Sequence, residues 1–366
     1  MPIVALREPH DVIAVVPTMG GNLPRLRRCL DSVLATASDT RLAVLCVVNN
    51  STGLSAEFDR AQIGVLEAGV NLGWAGGLIL GAGESESPYI WFIQDDMTVE
   101  ESTLTALVAT LESDATLGSV GPVYVDAASG LVPMGSCGGV VAATGNVADF
   151  LPATACAPED LPPLDGLSYI PSRGLLVRRE AFTASGGPNP RLYPVQFVDV
   201  DFGHRLRTAG WAKRLDTSAR IHHDINGSSP AGFVHFLYSR NVELFAHDWV
   251  GPEAHPIEPF YPVAVHRPDA VTAARVPLHP RISPELTTAV IQSAADSLTH
   301  LGRVFSAMET ELATREAELR DAQSESFGLR QQIQAMVESR WWRLARPLRS
   351  LSDRLRRVRH PAPRAE

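Results

Sequence analysis

The sequence predicts an α/β fold: one domain on a mostly parallel central sheet, followed by a long C-terminal helix. Three observations carry this. Short apolar, β-branched runs recur ("VIAVV" at 12–16, "LAVLCVV" at 42–48, "YIWFI" at 89–93), and each reads as a buried strand. Segments with helical spacing fall between such runs, and alternating strands and helices favour a parallel sheet. From residue 284 onward a seven-residue apolar register continues for many turns, the pattern of a long amphipathic helix.

The elements follow in order. "VIAVV" is stopped by Pro17. "NLPRLRRCLDSVLAT" then shows helical spacing at Leu26, Leu30, Val33 and Leu34. "LAVLCVV" ends in "NNSTG", which is turn chemistry. "IGVLE" is a third strand. The Gly-rich "NLGWAGGLILGAG" precedes the strand "YIWFI", a helix is expected over about 99–111, and "LGSVGPVYV" is a fifth strand. Residues 127–165, rich in Gly, Ala and Pro, read as loops or a hairpin. "GLLVRREAF" reads as strand, then helix start. "VDVDFGHRLRTAGW" is helical, with Val200, Leu206 and Ala209 near one face and Gly210 as a stop. "RIHHD" ends another short strand. The predicted organisation is a domain over 1–248, a Pro-rich linker over 249–283, the long helix over 284–345 and a basic tail over 346–366.

The 366 residues suit one large domain with an appendage. The net charge of -9 argues against wrapping nucleic acid. Arginines crowd the end of the chain, from Arg340 to Arg364, so the rest is more acidic than the total suggests. Cys29, Cys46, Cys137 and Cys156 are widely spaced and form no CxxC pair, which fits a reduced, cytoplasmic compartment. The first residues lack the basic flank and apolar stretch of a signal peptide. No stretch reaches the ~18 apolar residues of a spanning helix.

Ser283, Pro284 and Glu285 form a good helix start. The register then runs through Ile291, Leu298, Phe305, Leu312 and Leu319, with Leu301, Met308, Ala322, Leu329 and Met336 beside it. It suits a coiled coil between two copies, or one helix laid on its own domain. Beyond Pro347, arginines alternate with leucines, and Trp341 and Trp342 lie just before it. Such a segment suits an anionic membrane surface, or a solvated basic tail.

Candidate chemistry collects at predicted strand and helix ends: "VVNNST", "FIQDDM", "DVDFGHRLRTAGW" and "RIHHD". In an open parallel sheet, ligands sit at the carboxyl ends of strands. Two acids ending a buried strand need solvent, a turn or a cation to offset their charge. Taken singly each cluster is weak. With "NLGWAGG", "GLLVRREAFTASGG", "HHDINGSS" and "YSRN", their order over residues 11–245 resembles a family 2 glycosyltransferase of the GT-A fold, with rhamnosyltransferase-like members nearest in pattern. A dinucleotide-binding dehydrogenase is excluded, because "VVPTMGGNLPRL" after the first strand lacks G-x-G-x-x-G.

The resemblance implies an inverting, divalent-metal-dependent transferase that uses a nucleoside diphosphate sugar. The acceptor it implies is a saccharide or lipid-linked saccharide at the inner membrane face, in cell-envelope synthesis. Rhamnose is the first expectation for the sugar and galactofuranose the second. Asp96 and His223 would hold Mg²⁺ or Mn²⁺. Thr18, Asn49, Asn71, Gly73, Gln94 and Asp95 would meet the donor. Asp199 would be the general base, and Asp201, Arg205 and Trp211 would serve the acceptor. Gln94 stands where the pattern has its first acid, and Val198 where it has Glu. Those departures keep a non-catalytic scaffold as an alternative, alongside a nucleotidyltransferase on a similar sheet.

Overall fold

The structure is a computed structural model that describes residues 10–37, 40–49, 54, 58, 63–143, 145, 147–162, 164, 166–223, 231–251 and 282–338. Ten strands occur among them: β1 (Val12–Thr18), β2 (Leu42–Val48), β3 (Ile63–Glu67), β4 (Tyr89–Phe92), β5 (Met97–Val99), β6 (Leu117–Tyr124), β7 (Gly138–Val141), β8 (Val147–Leu151), β9 (Leu176–Arg178) and β10 (Ala212–His223). The helices are α1 (Leu23–Ala35), α2 (Gly73–Ala82), α3 (Thr103–Glu112), α4 (Arg179–Ser185), α5 (Val198–Thr208), α6 (Ala231–Trp249) and α7 (Pro284–Glu338).

Eight strands form one sheet in the order β3-β2-β1-β4-β9-β6-β10-β5. β1, β2, β3 and β4 run parallel, as do β6 and β10, while β9 and β5 are antiparallel to their neighbours. Both faces are covered, so successive residues of β1 enter opposite cores. Ile13 and Val15 join one cluster, and Val12, Ala14 and Val16 the other. This double burial explains why the strands read as continuous apolar runs. The expected α/β fold, mostly parallel sheet and long C-terminal helix are all present.

The Gly-rich run forms helix α2, and its glycines let it lie close to the sheet. A Cβ at Gly81 would fall 2.3 Å from Val15 Cγ1. Residues 97–99 form β5 instead of starting a helix, because they pair with the end of β10, and α3 begins at Thr103. β10 is longer than the short strand expected, with register shifts beside Ala212 and between Asp216 and Arg220. The expected hairpin is β7–β8.

The chain separates into two compact units, through His300 and from Leu301. The first turns of α7 bury Leu286, Ser293 and His300 in the first unit. The remainder of α7 exposes Leu301, Leu319 and Leu329 and carries Arg315 between Glu311 and Glu318. The basic tail, and the linker apart from residues 249–251, 282 and 283, lie outside the described residues. Among the described residues no helix is long and apolar enough to cross a membrane.

Candidate functional site

The carboxyl ends of β1, β4, β6 and β10 meet around the turn that holds the two acids. Thr18 ends β1 and donates its hydroxyl to Asp95 Oδ2 at 2.6 Å. Arg25, on the first turn of α1, donates to Asp95 Oδ1 at 3.1 Å. The turn is also pinned from below: Cys29 Sγ lies 3.2 Å from the Gln94 carbonyl, and Gln94 N lies 3.4 Å from Met97 Sδ. His223, the last residue of β10, places Nε2 2.9 Å from Asp96 Oδ1. Side chains alternate along a strand, so His222 faces elsewhere. Its Nδ1 meets the Val125 carbonyl at 2.9 Å and its Nε2 meets Glu100 at 3.3 Å.

The two acids differ electrostatically. Burial pushes Asp95 up from the ordinary carboxylate range, against the Thr18 bond and the Arg25 charge. Burial acts on Asp96 too, but the His223 hydrogen bond and charge, with Arg25, outweigh it and hold Asp96 below that range. Asp96 therefore keeps its negative charge while its neighbour is the easier to protonate.

The expected donor residues divide. Asn71 and Gly73 shape the turn into α2: Asn71 Oδ1 accepts from Gly73 N at 2.8 Å, and Gly73 has φ +69°. A Cβ there would lie 2.6 Å from the Pro194 carbonyl oxygen. Asn49, expected to meet the donor, bonds to the same turn. It is buried, its Nδ2 donates to the Gly73 carbonyl at 3.1 Å, and its Oδ1 accepts from Leu72 N at 3.2 Å. That donor–acceptor edge is already spent on the turn. Thr18 is likewise buried, and its hydroxyl serves Asp95 and Gly20 N, so it is an anchor for the acid.

Asp199 lies in the first turn of α5. Burial raises its pKa, while the charge of Arg173 and nearby backbone N–H groups act against the rise. Burial also lowers the pKa of Arg173, and the Asp199 charge opposes that. Arg173 lies 5.1 Å from the centroid of the Tyr124 ring, which also lies 5.8 Å from the His223 ring. Tyr124 OH also donates to the His223 carbonyl at 3.2 Å. Contacts thus join Asp96, His223, Tyr124 and Arg173, and the Arg173 charge acts on Asp199.

Asp201 and Arg205 pair at 2.5 Å, one helical turn apart, as expected. Asp201, expected to serve the acceptor, also binds α6. It is fully buried, and its other oxygen accepts from Trp249 Nε1 at 2.7 Å. Arg205 packs against the Trp249 ring at 5.5 Å, so the pair fastens α5 to α6. Trp211 is the third residue expected to serve the acceptor. It precedes β10 and packs over Gly118 at the amino end of β6. The length of β6 puts it roughly 20 Å from the acid turn. There it lines a cavity of about 860 Å³ with Arg207, Lys213 and Ile170.

Arg25, Tyr124 and Arg173 belong to the site and were missed. So was the Arg240–Asn241 pair, which holds the loop before α5: Asn241 Nδ2 donates to the Val195 and Gln196 carbonyls at 3.0 and 2.7 Å. Gln196 and Phe197 have φ of +77° and +65°, conformations that cost about 1–3 kcal/mol each in non-glycine residues. "YSRN" was the available signal, but its spacing names no partner.

The sequence profile described as "Glycosyl transferase family 2" matches residues 13–132. N-acetylglucosaminyl-diphospho-decaprenol L-rhamnosyltransferase of Mycobacterium tuberculosis is 31% identical over 249 residues, which are 61% of this chain and 80% of the relative. Among solved structures, GalNAc-T7 with UDP, GalNAc and Mn²⁺ superposes with TM-score 0.48 at 12% identity, covering 66% of this chain and 48% of that one. Mannosyltransferase PcManGT of Pyrobaculum calidifontis, with GDP-Man and Mn²⁺, also gives 0.48, at 14% identity and coverage of 86% and 81%. The chain belongs to glycosyl transferase family 2. It is a glycosyltransferase.

Proposed function

We propose that the enzyme transfers a sugar, rhamnose before galactofuranose, from a nucleoside diphosphate to a lipid-linked saccharide, with inversion and with a divalent cation. The observation that carries this reading is the Asp96–His223 pair, linked through the Tyr124 ring to Arg173, whose charge acts on the buried Asp199.

The pair suits Mg²⁺ or Mn²⁺. Asp96 offers a hard oxygen, and His223, whose Nδ1 is buried without a hydrogen-bond partner among the described residues, offers an imidazole beside it. Among those residues no three His, Cys, Asp or Glu side chains gather, so Asp96 and His223 would be the protein's share of the ion's ligands. When bound, the ion supplies positive charge to the departing nucleoside diphosphate. Asp95, steadied by Thr18 and Arg25, faces the donor with Gln94. Asp199 takes the proton from the acceptor hydroxyl as that oxygen attacks the anomeric carbon. Its raised pKa makes it a stronger base than a surface aspartate. Arg173 holds the carboxylate ionised. Direct attack by the acceptor inverts the anomeric centre.

A lipid-linked acceptor brings the enzyme to the inner face of the membrane, where the arginine-rich tail suits an anionic surface. The exposed register Ile291, Leu298, Leu319 suits pairing with a second copy. The deciding experiment incubates the full chain with dTDP-rhamnose, a short-chain prenyl-diphospho-N-acetylglucosamine and Mn²⁺ or Mg²⁺. Release of dTDP with a rhamnosylated lipid supports the reading. Release of pyrophosphate would favour a nucleotidyltransferase, and no donor binding at all would favour a scaffold.

A further inference from the structure

The first turns of α7 end in an unusual contact. Arg240, on α6, is 1% exposed, yet its guanidinium bonds only neutral oxygens. It donates to the Ser293 carbonyl at 3.3 Å and to the Ser297 hydroxyl on α7, and to the Tyr193 carbonyl in the loop before α5. Its Nε donates to Asn241 Oδ1 at 2.8 Å. Asn241, fully buried, then holds the Val195 and Gln196 carbonyls. The same loop reaches the donor turn, because Trp74 N donates to the Pro194 carbonyl at 2.7 Å. Phe197, left-handed, is the cap of α5, two residues before Asp199.

We infer that Arg240 and Asn241, braced by Ser293 and Ser297 of α7, are positioning residues that set the place of Asp199 relative to the donor turn. This rests on the reading of Asp199 as base. A buried guanidinium costs more than an apolar side chain of similar volume unless its geometry is needed. Here one planar group reaches two helices and a loop at once, which a leucine or methionine cannot do. Asn241 supplies the donors that hold two consecutive left-handed residues. Arg191 repeats the bracing nearby, pairing with Asp248 on α6 at 3.2 Å and Asp296 on α7 at 3.3 Å. Residues 284–300 therefore act as part of the catalytic body, bracing the loop that leads into Asp199.

The test uses the full chain with Ser297→Ala, Arg240→Met and Asn241→Ala, with Arg240→Lys as the conservative variant, alongside Asp199→Asn. Ser297→Ala is the mild variant, expected to fold whatever the others do. Amide hydrogen exchange across residues 195–200 is expected to quicken about tenfold or more, with the melting temperature nearly unchanged in Ser297→Ala. With dTDP-rhamnose and the prenyl-diphospho acceptor, kcat should fall by about tenfold or more while the donor KM stays within about threefold. Arg240→Lys should recover part of what Arg240→Met loses. Wild-type exchange at 195–200 in all three variants overturns the inference, whatever the sugar proves to be. So does a loss of kcat matched by an equal rise in donor KM. If Asp199→Asn keeps full turnover, it is the proposed mechanism that fails; if Asp199→Asn is dead and the clamp variants are normal, only the clamp fails.

Discussion

His223 Nε2 stands 2.9 Å from Asp96 Oδ1, joining residues 127 positions apart in the chain. β10 delivers the histidine and the turn after β4 delivers the acid. Asp96 stays ionised in spite of burial because of this contact. Replacing either residue by alanine should weaken donor binding in the presence of Mn²⁺ and leave metal-free binding little changed. Calorimetry with dTDP-rhamnose, with and without Mn²⁺, measures both; equal binding in the two conditions for wild type would reject the pair as an ion site.

Asp199→Asn should lower transfer by about 10²–10⁴-fold, the usual range for losing a general base, with donor affinity retained. The same change should raise stability at neutral pH. The folded pKa of Asp199 lies above its unfolded value, so its ionisation opposes folding as pH rises through that interval. The asparagine carries no such cost. Urea melts at two pH values check the sign: a gain at neutral pH that vanishes in acid.

Arg173→Met should move the acid limb of the kcat profile to higher pH. In the proposed mechanism the carboxylate form of Asp199 is the working form, and it is lost as pH falls through its raised pKa. Arg173 opposes that rise, so removing it lifts the pKa further. An acid limb that stays in place or moves down would separate Arg173 from the base.

Gly73→Ala and Gly210→Ala both force a side chain into the left-handed region, at a cost of roughly 1–2 kcal/mol. Gly210 has open space around it, whereas Gly73 meets Pro194. Denaturant unfolding should therefore show the larger loss at Gly73, and donor binding should suffer only there.

Leu319→Glu combined with Leu329→Glu should abolish self-association without changing transfer by the monomer. Sedimentation gives the mass. Wild-type protein that is monomeric at all concentrations would remove the exposed register as an interface.

The strands were legible because burial on both faces writes itself as unbroken apolar runs, as in "LAVLCVV". The acid turn was legible for the complementary reason: charge after such a run demands a partner. What escaped was specified by the fold. The amide of Asn49 could suit a base or a turn, and only the approach of Leu72 and Gly73 decides between them. Trp211 follows a helix in a familiar motif, yet the direction of β10 carries it to the far end of the sheet. Arg173 sits between unremarkable neighbours, and its closeness to Asp199 is a product of the crossover into β9. Helix α7 showed its register but not which face would be covered: Leu286, Ser293 and His300 lie off the apolar seam that the spacing draws.

Tyr124 touches both the histidine and the arginine, and retargeting experiments will feel this. A library that randomises the nucleotide pocket to accept a different sugar will disturb the proton-accepting half whenever it moves that ring. Specificity and turnover are then expected to drift together under selection unless the phenol is held constant.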